Sequence, residues 1–268
     1  MKNFKIGVPE SSDVVPLTYG FDRHKLIGNA EVIREIPARL SSLESLRAYD
    51  LVLMPSIAYA RNSSELMVVP ECGMVSKGKM GSVRLYFKEN LRAIKSVAIA
   101  PSAMNEVAMT KIVLAEKYSM SPSFVLGGNA LPRMLDSADA ALLVGDGALT
   151  ADKQLNANYL DLGEEWEDVT GMPFVHFIWA ARRNSLEIDQ LQSVISSRNL
   201  GVDNLREIAG EVSAHLDLPF QAVWEHYEKE IYFEIAESEI EGMRQFFELS
   251  YYYGLLEYIP SINFFALE

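Results

Sequence analysis

The chain has 268 residues, of which 49% are hydrophobic, and a formal net charge of -13. This length suffices for two lobes of about 100 to 150 residues, each with its own core. The excess of carboxylates argues against a broad phosphate-binding surface, so nucleic acid is not an expected partner. The net charge does not exclude one small anionic ligand, because a cleft can present local donors on an acidic protein.

The sequence offers no pattern for a metal or for another cofactor. Cys72 is the only cysteine, which excludes an internal disulfide and every multi-cysteine metal site, and we expect a buried structural thiol. The four histidines share no metal-ligand spacing. No secretory signal is recognisable, and the longest apolar run, residues 172–181, is too short to span a bilayer. We therefore expect a cytoplasmic protein with no membrane partner.

The first third of the chain alternates strands with helices. Strands are predicted at residues 5–8, 31–36 and 51–54, and helical spacing is found over residues 38–49. This order is typical of parallel strand pairing. Residues 67–87 are rich in β-formers and contain three glycines, which predicts further strands joined by turns.

The second part of the chain repeats the alternation and then becomes helical. Strands are predicted at residues 96–100, 124–126, 140–144 and 173–181, and helices at residues 106–117 and 131–135. From residue 185 onward the pattern is almost wholly helical. The sequence thus predicts an α/β protein of two lobes, with residues 1–90 plus 185–268 in the first lobe and 91–184 in the second.

Polar loops follow several predicted strands. They comprise residues 11–16, 55–56, 101–105 and 145–147. Open parallel sheets bind ligands beyond the carboxyl ends of their strands, so these loops could converge on one cleft. Asp13 and Asp146 are the carboxylates in them, although an aspartate in such a loop can equally cap a turn. His176 lies in a very apolar strand, where a hydrogen-bonded core histidine is the more frequent case.

Several segments together resemble one family, the menaquinone-biosynthesis enzymes of the futalosine route. They include Leu53-Met-Pro-Ser-Ile-Ala-Tyr-Ala60, Gly81-Ser-Val83, Leu143-Val-Gly-Asp-Gly-Ala-Leu149, Asp161-Leu-Gly-Glu-Glu-Trp166, Thr170-Gly-Met-Pro-Phe-Val175 and Trp179-Ala-Ala-Arg182. The stretch from Asp161 to Arg182 is the most specific part. Gly145-Asp146 resembles the chorismate dehydratase branch, whereas the naphthoate synthase branch carries a His-Glu pair there.

The resemblance implies a type II periplasmic-binding-protein-like fold with a ligand cleft between two lobes. It also implies a hydro-lyase that needs no cofactor and converts chorismate, a small carboxylate, to 3-[(1-carboxyvinyl)oxy]benzoate. We then expect Asp13 and Asp146 to be catalytic. The residues expected to bind the substrate are Ser56, Ser82, Val83, Asn105, Glu106 and Gly145. A homodimer is a further implication, and part of the tyrosine run 251–253 could support it.

Several polar positions depart from the dehydratase pattern. Asp13 stands where the family has Asn, Ala58 replaces an acidic residue, and Asn105-Glu106 replace a Thr-Ser pair. Two interpretations remain open. Glu106 can point outward and stabilise the helix dipole. Alternatively, the cleft is adapted to a less anionic or cationic ligand, and the protein is a divergent binding protein or a paralogue with another substrate.

Overall fold

The computed structural model describes residues 3–24, 26–100, 103–128, 130–155 and 157–267. The strands in these ranges are β1 (Phe4–Pro9), β2 (Ala30–Glu35), β3 (Leu51–Pro55), β4 (Leu66–Ser76), β5 (Val83–Phe87), β6 (Ser96–Ile99), β7 (Ser123–Leu126), β8 (Ala140–Val144), β9 (Asn158–Asp161), β10 (Phe174–Arg182) and β11 (Ile231–Ile235). The α-helices are α1 (Val15–His24), α2 (Leu43–Ala48), α3 (Ser56–Asn62), α4 (Met104–Tyr118), α5 (Leu131–Ser137), α6 (Asp146–Leu149), α7 (Leu162–Thr170), α8 (Ile188–Asp203), α9 (Leu205–Leu216), α10 (Phe220–Glu225) and α11 (Glu237–Tyr252).

The strands form two mixed sheets. The first has the order β11-β4-β10-β3-β1-β2 and the second the order β7-β6-β8-β5-β9. β1 pairs in parallel with both β2 and β3, as the alternating pattern predicts. The second sheet likewise combines parallel pairs around β6 with antiparallel pairs around β5. The predicted two-lobed α/β architecture is confirmed.

Two strands pair in a different sheet from the one that the expected lobe boundaries imply. The expected boundaries place β5 in the first lobe, but β5 pairs with β8 and β9 in the second sheet. They place β10 in the second lobe, but β10 lies between β3 and β4 in the first sheet. Apolar periodicity identifies a strand without identifying its partner, so the sequence could not show that the chain changes sheets within residues 77–82 and again after α7.

The helical interpretation of two segments is wrong in part. The C-terminal region contains β11, whose alternating buried and exposed residues form an edge strand against β4. Residues 38–49 do not form one helix, because a 3-10 turn at Arg39–Ser41 precedes the short α2. In both segments the apolar spacing fits more than one backbone conformation.

Large aromatic side chains fill the first lobe. Trp166, Phe174 and Phe246 pack edge-to-face with ring centroids 4.7 to 5.7 Å apart. Trp179 is fully buried against Phe21. These rings are therefore core residues rather than a ligand box. Cys72 is buried as expected, and burial raises the pKa of its thiol to about 12.

Close contact between α1 and α8 fixes the chain that follows β1. The Ser197 hydroxyl donates to the Leu17 carbonyl over 2.9 Å and accepts from the Gly20 amide over 3.0 Å. One turn further along α8, a Cβ added at Gly201 would overlap the carbonyl oxygen of Pro16. Only glycine allows the helices to approach this closely, and the packing holds α1 immediately behind Asp13.

Within the described ranges, no helix is long and apolar enough to cross a membrane. Of the tyrosine run, Tyr252 is 77% exposed and Tyr251 is 48% exposed. The homodimer stays a prediction.

Candidate functional site

A cavity of about 450 Å³ lies between the two sheets, within the range of small-molecule sites. Its wall combines residues that follow β1, β2, β6 and β8 with residues of β4, β5 and β10. Two of the four predicted loops, residues 11–16 and 145–147, line this cavity, whereas residues 55–56 do not. Pro101 and Ser102 of the fourth lie outside the described residues.

Asp13 is buried at the cavity wall, in the 3-10 turn Ser12–Val14 that follows β1. Its Oδ2 accepts a hydrogen bond of 2.8 Å from the Ser82 hydroxyl. Its Oδ1 lies 2.9 Å from Nε2 of His226. The Ser11 hydroxyl, 3.3 Å away, caps the turn by accepting from the Asp13 amide. The carboxylate is therefore held from two sides, and its remaining lone pairs can face a ligand.

His226 carries a positive charge behind Asp13. Its Nδ1 lies 2.8 Å from Oε2 of Glu230, and Oε1 of Glu230 lies 2.7 Å from Nζ of Lys79. Burial disfavours the imidazolium, but the hydrogen bonds to Asp13 and Glu230 outweigh it and raise the pKa of His226 to about 9. Burial alone would raise the pKa of the Glu230 carboxyl, but the hydrogen bonds from His226 and Lys79 outweigh burial and lower it.

Asp146 approaches the same cavity from the second lobe. Gly145, with φ of 55°, turns the chain sharply after β8, and a Cβ there would lie 3.1 Å from the Ser11 hydroxyl. Oδ1 of Asp146 accepts from the Ser12 amide over 3.0 Å. Burial and the neighbouring negative charge of Asp13 raise the pKa of Asp146. Two carboxyl groups in different environments thus meet at the contact between the lobes.

Glu106 and His176 form another part of the wall. His176 is fully buried on β10, and its Nε2 lies 2.9 Å from the Ser76 hydroxyl. Its Nδ1 has no hydrogen-bond partner among the described residues and lies 3.6 Å from Oε1 of Glu106. Glu106 is 6% exposed, so it does not point outward from α4. The interpretation of Glu106 as an outward, dipole-stabilising residue is wrong.

The predicted site residues divide into two groups. Asp13, Val83, Glu106, Gly145 and Asp146 lie at the cavity wall. Ser56, Ser82 and Asn105 are buried, and their side chains bond to protein groups. Ala58, which departs from the dehydratase pattern, is also buried, on α3.

The three polar residues of the second group connect parts of the protein. The Ser56 hydroxyl donates to the Val175 carbonyl over 2.7 Å. The Asn105 side chain accepts from the Ile57 amide and donates to the His176 carbonyl. Ser82 bonds to Asp13 as described above. A supporting role fits these contacts better than the predicted contact with substrate.

The sequence-based reasoning missed His226, Glu230 and Lys79. His226 and Glu230 are four residues apart on one turn, which is a weak signal, because such pairs are common on helix surfaces. The contact between His226 and Asp13 joins residues 213 positions apart. Only the folded chain could reveal it.

Charge at the cavity wall is predominantly negative. Among the described residues, the acidic groups at the wall are Glu10, Asp13, Glu106 and Asp146, and His176 is the single basic one. Within the same ranges, no group of three or more His, Cys, Asp or Glu side chains is arranged to hold a metal ion.

Two sheets with a ligand-sized cavity between them define a cleft protein of the periplasmic-binding-protein-like fold. The alkanesulfonate-binding protein SsuA of Xanthomonas axonopodis pv. citri superposes with a TM-score of 0.69, at 17% identity and over 97% of this chain and 94% of that one. A protein of Archaeoglobus fulgidus gives a TM-score of 0.73, at 17% identity and over 95% and 98% of the two chains. At these identities the likeness concerns the fold alone.

The chain belongs to the menaquinone biosynthesis family, whose model matches residues 4–252. A relative named chorismate dehydratase, from Thermus thermophilus, is 26% identical over 265 residues, which cover 92% of this chain and 95% of the relative. The family expected from the sequence motifs is therefore confirmed.

Proposed function

We propose that the protein is a hydro-lyase of the chorismate dehydratase type, which removes water from chorismate to give 3-[(1-carboxyvinyl)oxy]benzoate. The observation that carries the proposal is the meeting of Asp13 and Asp146 at one cavity, with different partners and charge environments. The similarity to the Thermus thermophilus chorismate dehydratase supports the same reaction. Two carboxyl groups in unlike surroundings suit separate acid and base roles.

The two carboxyl groups divide the reaction between them. Asp13 accepts the ring proton, and the electrons of the broken C–H bond form the new ring double bond. The C–O bond to the ring hydroxyl breaks, and the departing oxygen takes a proton from Asp146. The products are the aromatic ether and one water molecule. The raised pKa of Asp146 favours the protonated form that this role requires.

The negative charge of the cavity wall favours a second candidate function. Chorismate carries two carboxylates, and Glu106 at the first turn of α4 would repel either one there. A binding protein for a less anionic or cationic ligand fits this wall better. For the dehydratase, we expect a substrate carboxylate to approach His176, which lies at the wall and has no hydrogen-bond partner at Nδ1 among the described residues.

A turnover assay combined with a binding screen separates the two functions. The purified protein is incubated with chorismate, and mass spectrometry follows the appearance of a product lighter by one water. Calorimetry then compares chorismate with related cyclic acids and with amines. The dehydratase predicts the product. If the protein binds an amine but neither binds nor converts chorismate, the second candidate function replaces the dehydratase.

Substitution of Glu106 tests how the wall selects ligand charge. Glu106→Gln keeps the side-chain shape, removes one negative charge and leaves Nδ1 of His176 free for an anion. We expect the Kd of chorismate to fall about tenfold, because an unfavourable contact at short range is removed. Calorimetric titration measures it.

Glu116→Gln is the matched control for this substitution. Glu116 lies exposed on the same helix, so its replacement changes the net charge equally without altering the cavity. Equal chorismate affinities in the two variants would show that Glu106 does not face the ligand.

A further inference from the structure

The hydrogen bonds behind Asp13 continue through the protein to a second cavity. His226 lies between Asp13 and Glu230, at 2.9 and 2.8 Å, and Glu230 pairs with Lys79 at 2.7 Å. Lys79, His226 and Glu230 line a separate cavity of about 260 Å³. The assembly therefore joins the wall of the substrate cavity to a solvent-accessible region beyond it.

The same assembly contacts the chain segment that passes between the sheets. Within residues 77–82, Lys79 pairs with Glu230, and the Ser82 hydroxyl donates to Asp13. Between them, Gly81 has φ of 69°, and a Cβ there would lie 2.5 Å from Oε2 of Glu230. The segment thus packs directly on the carboxylate that supports the His226 ring.

We propose that His226, supported by Glu230, is a positioning residue that holds the Asp13 carboxylate toward the cavity and keeps a positive charge beside it. The proposal rests on the dehydratase function, in which Asp13 accepts a proton. His226 does not touch the substrate cavity itself, and it acts through Asp13. A misplaced reacting group can cost about 10²-fold in rate, which is why an enzyme benefits from fixing its base.

The charged surroundings of the ring determine its response to pH. Asp13 faces it from the turn after β1, and Glu230 from its own π-helical turn, His226–Glu230. The other charged groups at the second cavity are Lys79, Arg84, Asp152, Lys153 and Glu225. Because the pKa of His226 is raised to about 9, the imidazolium is present below that pH and is lost as the pH rises through it.

Glu230→Gln tests the assembly without changing a residue at the substrate cavity. The variant removes the charge that faces Nδ1 of His226, so the midpoint of the ring titration should fall by about one pH unit or more. Glu225→Gln is the matched control, because Glu225 lines the same second cavity but contacts Gln221 and Lys229. NMR of 13C-labelled histidine measures the midpoint, and the signal lost in His226→Gln identifies the residue.

The kcat for chorismate, measured against pH, provides the second readout. At a pH between the midpoint of the His226 titration in Glu230→Gln and that in wild type, the kcat of Glu230→Gln should be about tenfold or more below the wild-type kcat. At lower pH, where His226 is charged in both proteins, the kcat of Glu230→Gln should approach the kcat of Glu225→Gln. Equal midpoints of the His226 titration in Glu230→Gln and Glu225→Gln would overturn the positioning role. The same conclusion would follow if Glu230→Gln lowered the midpoint but the ratio of its kcat to the wild-type kcat did not change with pH. Absence of wild-type turnover would instead refute the dehydratase function, and the NMR titration would still decide whether Glu230 sustains the charge on His226.

Discussion

Asp13→Ala is expected to lower kcat for chorismate dehydration by about 10² to 10⁴-fold, the usual contribution of a general base. Alanine rather than asparagine is the informative replacement, because the dehydratase pattern has Asn at this position. The substitution removes the carboxylate that we propose as the acceptor of the ring proton. KM should change little, because His176, the proposed contact for a substrate carboxylate, lies elsewhere on the wall.

The control for Asp13→Ala is Asp203→Ala, at the exposed end of α8. Circular dichroism and thermal unfolding should show that both variants keep the fold. Activity of Asp13→Ala equal to that of Asp203→Ala would reduce Asp13 to a structural partner of Ser82 and His226.

Gly201→Ala is expected to destabilise the protein by about 3 kcal/mol or more. The added methyl would overlap the Pro16 carbonyl oxygen, and a backbone atom cannot move aside as a flexible side chain can. α1 must shift away from α8, which breaks the bonds of Ser197 to Leu17 and Gly20. Because α1 follows closely after Asp13, the turn that contains Asp13 should move with it. Urea denaturation measures the loss of free energy of unfolding.

Gly210→Ala provides the matched control. Gly210 lies inside α9, where an added Cβ would meet no atom within 4 Å. Alanine should stabilise this helix by about 0.5 to 1 kcal/mol, since glycine is the poorer helix former. A Gly201→Ala variant as stable as Gly210→Ala would contradict the close α1–α8 contact.

Local periodicity was sufficient to predict most elements of the fold. β1, β3 and β8 are short apolar runs between polar loops, and the ends of β1 and β8 lead to the cavity as expected for such sheets. The partners of β5 and β10 could not be predicted, because strand pairing is decided by contacts between distant parts of the chain. β11 was missed for the same reason, since its helical surroundings hid a strand that forms only against β4.

At the site, loop position indicated Asp13 and Asp146, but it could not indicate their partners. Ser56 and Asn105 follow the same loop rule, yet they bond to backbone groups behind the wall. His226 comes from a segment with no motif, and its contact with Asp13 depends on the C-terminal part of the chain returning to the first lobe. Polar residues in such loops therefore include both side chains that line the cavity and side chains that support its wall.

A single-turnover experiment tests the central claim most directly. Wild-type protein is mixed in excess over chorismate, quenched at successive times and analysed by mass spectrometry, beside Asp13→Ala under the same conditions. Excess protein isolates the chemical step from product release. We expect wild type to convert the bound chorismate completely to the carboxyvinyloxy-benzoate and Asp13→Ala to return it largely unchanged. Chorismate that binds to the wild-type protein and is recovered intact at all times would contradict the proposed dehydration.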